Sequence, residues 1–85
     1  METIDLESRV KEAARKVETI GRDRAQASAA LRRAIMAHRP PGEVEDLEVE
    51  EMILSEAFQV ALSEHFAATI TLSIARDHAL SMAVG

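Results

Sequence analysis

The chain of 85 residues has no cysteine, no tryptophan and no tyrosine, and only two phenylalanines. Without thiols it forms neither a disulfide nor a thiolate metal site, so no cross-link supports a small core. Without Trp and Tyr, and with a formal net charge of −5, it lacks the basic surface and stacking platforms that nucleic acid rewards. Glycine and proline are scarce too, and both prolines stand together in "HRPPGE", residues 38–43. So few breakers leave room for long uninterrupted helices. No run is apolar enough to cross a membrane. The best window, Ala57 to Ala75, contains Gln59, Ser63, Glu64, His65, Thr69, Thr71 and Ser73, more polar groups than a span of about 20 residues tolerates. The opening "METIDLESRVKEAARKVE" is charged from the start and has no signal-peptide pattern, so the expected location is the cytoplasm.

What is present is one domain's worth of amphipathic pattern. A chain of this length buries only a little over ~60% of its unfolded surface, so a lone monomer is expected to be marginal and oligomerisation to supply the rest. Leu6, Val10, Ala13, Val17 and Ile20 recur at spacings of four and three, the seam of a helix packed lengthwise on another. The same phase continues through Arg24, Ala27, Leu31, Ala34 and His38. Acid-to-base pairs one turn apart, Asp5/Arg9, Glu7/Lys11, Glu12/Lys16 and Glu18/Arg22, add to it. Gly21 is the weak point: "GRDRAQ" could end one helix and start another, with Asp23 as N-cap. The unbroken phase favours one helix over two.

After "HRPPGE", acids crowd the opening turns of a second helix, where they complement its dipole. Inside that helix "TITLSI", residues 69–74, alternates like a strand. It also lies within a longer helical series: Leu47, Leu54, Phe58, Ala61, His65, Ala68, Leu72, Ala75, Ala79 and Met82. A flanking stripe, Leu62, Phe66, Ile70 and Ile74, recurs every four residues. We therefore expect an all-α fold: a long antiparallel helical hairpin with helices over 3–38 and 43–83 and a turn over 39–42. The alternative is a three-helix bundle broken near Gly21. Paired residue numbers should sum to about 82, placing Arg32 near Glu50, Arg39 near Glu43, and Arg76 near Asp5 and Glu7. Residues 1–40 carry nine Lys/Arg against six Asp/Glu, whereas 41–85 carry Arg76 alone against nine acids. A hairpin brings these unlike halves together.

The second helix is apolar on more sides than one neighbour can cover. The expected remedy is a second copy, giving a homodimeric four-helix bundle with the second helices central and Leu54, Phe58, Ala61, His65, Ala68 and Leu72 in the oligomer core. No catalytic residue, cofactor or metal set is assigned. A bundle di-metal site needs Glu three residues before His, but Ile35, Leu62 and Ala75 precede His38, His65 and His78 at that distance. His65 alone, on the seam, is a weak metal candidate across a symmetric interface. His38 reads as a helix-end residue and His78 as a surface one. The run Glu43 to Glu56, with seven acids in fourteen residues, lacks the glycine-turn loop of a calcium site and reads as a solvated helix start. Lys11, Arg15, Arg22 and Arg33 read as a salt-bridged outer face. The functional expectation is a non-catalytic homo-oligomeric interaction or accessory module that engages itself, and another protein through its charged faces. The alternatives are a small-ligand or metal-binding bundle with a site near His65, or an accessory subunit of a hetero-complex.

Overall fold

The computed structural model describes residues 3–84; Met1, Glu2 and Gly85, the ends of the sequence reading, lie outside the described residues. Two helices, α1 (Thr3–Met36) and α2 (Pro41–Val84), run antiparallel and pack along their length. The hairpin is a slender rod of 67 × 16 × 14 Å. At 1.5 Å per residue α2 alone is about 66 Å long, so it spans the whole rod, while α1 reaches only about 51 Å.

The alternative of a break at Gly21 is overturned, because α1 passes through it without interruption. A β-carbon built on Gly21 would lie 3.1 Å from Cε2 of Phe58. The glycine therefore makes room for an aromatic ring from α2, and a packing need has replaced the helix-ending role its sequence context suggested. Arg24 lies over the same ring, 5.3 Å from its centroid, and its Nε donates to Ser55 Oγ at 3.1 Å.

Both helix boundaries at the turn differ from those expected. The first helix stops two residues early because His38 takes a left-handed conformation, φ 54°. The His38 amide donates to the Ile35 carbonyl at 3.1 Å and the Arg39 amide to the Ala34 carbonyl at 3.0 Å. These two bonds form a Schellman cap, usually built on glycine. The second helix starts two residues early. The Pro40 carbonyl accepts from the amides of Glu43 (3.0 Å) and Val44 (3.2 Å), which makes Pro41 the first helical residue. Its missing N–H costs nothing at that position.

The seam follows the predicted phase closely. Leu6, Ala27 and Ala34 from α1 and Ala61 and Leu72 from α2 are buried, Ala61 to 1% exposure. Three of these five are alanines, so the helices meet through small side chains. Ala79 and Met82 were expected on the seam but are exposed. Cross-helix pairs such as Lys16 with Glu64 align residues summing to about 80, so the last turns of α2 project past the start of α1. "TITLSI" is helical throughout. Its threonines are accommodated by back-bonding: Thr69 Oγ1 donates to the His65 carbonyl at 2.8 Å and Thr71 Oγ1 to the Ala67 carbonyl at 2.9 Å.

Candidate functional site

The candidate site is a face of α2. Seam residues on this helix, Leu54, Phe58, Ala61, His65, Ala68 and Leu72, are buried or half-buried against α1 of the same chain. The residues sequence reasoning assigned to an oligomer core therefore line the hairpin's own seam. On the other side of α2 stands a second apolar stripe, with Val49, Met52, Ile53, Val60, Phe66, Ile70 and Ile74 all exposed. Phe66 is 67% exposed and Ile74 63%. At 100° per residue the centres of the two stripes lie about 165° apart around the helix. A single neighbour can cover one stripe and must leave the other in water. The flanking series read from the sequence, Leu62, Phe66, Ile70 and Ile74, belongs to this outer stripe. Val49, Ile53 and Val60 are its other half, which sequence reasoning passed over; the signal was seven-residue spacing, of Ile53 and Val60 with Ala67 and Ile74, and of Val49 with Glu56, Ser63 and Ile70.

Charges frame the hairpin. Arg76 meets Glu7 at 2.8 Å and Arg39 meets Glu43 at 3.0 Å, both as expected from the register. Arg39 spans its partner with two bonds, Nε and a terminal nitrogen each donating to one carboxylate oxygen. Lys16 reaches across to Glu64 at 3.2 Å. Of the four intrahelical pairs expected in α1, Glu18 with Arg22 forms, at 3.0 Å; Glu7 and Lys16 bond across the hairpin to Arg76 and Glu64. Arg33 and Glu50 line a common groove between the helices. Three of these ion pairs are about half exposed and Glu18–Arg22 more so, at 71% and 67%, so each is worth ~0–1 kcal/mol and serves alignment more than stability.

The histidines are kept apart. His38 occupies the turn and is exposed, as is His78 near the free end, while His65 is half-buried on the α1 side. His65 lines a shallow depression with Leu62, Ser63, Phe66 and Thr69, in which it is the only ionisable group. Among the described residues no three His, Cys, Asp or Glu side chains converge as metal ligands would. Among the same residues no helix is long and apolar enough to cross a membrane. No family model matches the chain, and searches of curated proteins and of solved structures return no match.

Proposed function

We propose that the protein is a non-catalytic helical association module that works as a homodimer, with the outer face of α2 as its contact surface. The observation that carries this reading is the uncovered apolar stripe from Val49 to Ile74, on a helix whose opposite face is already packed on α1. Covering the exposed part of each large side chain there gains on the order of 1 kcal/mol. Association costs about 4–15 kcal/mol in lost freedom and ordering. One or two contacts would not meet that cost, but a continuous stripe contributed by both copies does.

Association, in this reading, completes the core of a hairpin whose buried side chains, among the described residues, are all Leu or Ala. In this reading the seam holds each hairpin together and the outer stripe joins the copies. His65 lies on the seam, so the dimer does not bring two His65 side chains together.

Sedimentation velocity over a hundredfold concentration range tests the proposal. Wild type is expected to sediment as a dimer. Ile70→Asp, which places a charge on the outer stripe, is expected to sediment as a monomer that keeps its helical circular dichroism. A monomeric wild type at every concentration would overturn the proposal and favour a different protein as the occupant of this face.

A further inference from the structure

We infer that the second copy binds antiparallel, with the two α2 helices crossing about a dyad between residues 61 and 62. The inference rests on the association reading above and adds the orientation and register of the partner. The outer stripe repeats every seven residues. Ile53, Val60, Ala67 and Ile74 form one row, and Val49, Glu56, Ser63 and Ile70 the other; all eight are exposed. Two such rows over nearly four heptads describe a coiled-coil seam.

Orientation decides which rows meet. When two helices run parallel, each row faces itself, so Glu56 would face Glu56 of the second copy within the seam. The acidic runs Glu43 to Glu56, seven acids in each chain, would also lie side by side. When the helices run opposite ways, one row faces the other. Every layer then joins residues whose numbers sum to 123: Val49 with Ile74, Ile53 with Ile70, Val60 with Ser63, and Glu56 with Ala67. Glu56 now meets a methyl group, and its carboxylate has room to bend into solvent. Large side chains meet at both ends of the seam. The centre is small, and Phe66, three residues beyond Ser63, flanks it. The next layer would oppose Asp46 to Asp77 and ends the stripe in solvent at both sides.

A second feature supports the same register. α2 covers Pro41–Val84, so its midpoint falls near residue 62, within about one residue of the dyad. Two hairpins paired this way overlap along almost their full length, each turn beside the other copy's free end, with the acidic runs held apart. The stripe is complementary to itself when reversed, which is the property required of a two-fold interface and makes a second copy its fitting occupant.

The absence of cysteine makes the test direct. A spin label on Ser73→Cys, with circular dichroism confirming unchanged helicity, should report a distance to its copy of about 35 Å in the antiparallel dimer, at 1.5 Å per residue. A parallel dimer would put the labels within roughly 20 Å, about two helix diameters; that result overturns the orientation and leaves the association reading standing. Absence of any dimer overturns both. Two further variants read the charge argument. Ala67→Lys would face Glu56 of the second copy and Ala67→Glu would repel it, so the lysine variant should dimerise at least about tenfold more tightly. Equal weakening by both variants contradicts the register.

Discussion

At His38 the backbone sits at φ 54°, a conformation that a β-carbon makes costly and glycine adopts freely. His38→Gly should therefore stabilise the protein by about 1 kcal/mol, read as a higher denaturant midpoint with an unchanged slope. An unchanged midpoint would mean that the histidine ring contributes a contact equal to the backbone relief. Gly21 presents the opposite balance. A methyl group there gains up to about 1 kcal/mol of helix propensity but lies 3.1 Å from the edge of Phe58. The ring is half-buried at the side of the seam and needs to shift only a few tenths of an ångström. Gly21→Ala should accordingly stabilise by about 0.5 kcal/mol, whereas Gly21→Leu, with no room for its branches, should destabilise. Chemical denaturation of both variants checks the sign. The sequence placed His38 at the helix end, beside the two prolines, but not its left-handed backbone. Gly21 looked like the weak point of a continuous helix because the aromatic it accommodates is 37 positions away, the difference between the residue numbers of Phe58 and Gly21.

Adjacent outward and inward positions of α2 make a sharp contrast at the scale of the element. Leu72 is 7% exposed and faces α1, while Ile70, two residues earlier, is 42% exposed on the outer stripe. Leu72→Asp should unfold the hairpin, since an unpaired charge in the seam costs several kcal/mol. Ile70→Asp should leave the helices formed and remove only association. Circular dichroism beside sedimentation separates the two outcomes; equal loss of helicity in both variants would show that hairpin and interface form a single folding unit. The helices themselves were readable because three-and-four spacing persists over long stretches and the breakers cluster in one place. The strand-like alternation of "TITLSI" misleads only when it is read in isolation. Its flanks carry the helical phase, and the threonine hydroxyls find carbonyl partners one turn back.

For the whole molecule, the informative quantity is the imbalance between what α2 covers and what it leaves bare. The hairpin, the approximate register and the Arg39–Glu43 and Arg76–Glu7 pairs were legible in the sequence. So was the conclusion that α2 has more apolar surface than one helix can cover. Of the spare surface only the flanking series Leu62, Phe66, Ile70 and Ile74 was legible, because two interleaved stripes on one helix look like a single broad apolar face until α1 takes its share. Packing places Leu54, Phe58, Ala61, His65, Ala68 and Leu72 along the hairpin's own seam and leaves Val49, Ile53, Val60, Phe66, Ile70 and Ile74 exposed. If association completes the core, unfolding must be linked to it. The thermal midpoint of wild type should then rise with protein concentration by mass action.

Native mass spectrometry of freshly purified, untagged wild type beside Ile70→Asp weighs the proposed homodimer itself. Wild type should appear at twice the 9.3 kDa chain mass, with no added mass, and the variant at the single-chain mass. A wild-type chain that remains single at every concentration, folded and with a concentration-independent melting midpoint, would contradict the proposal.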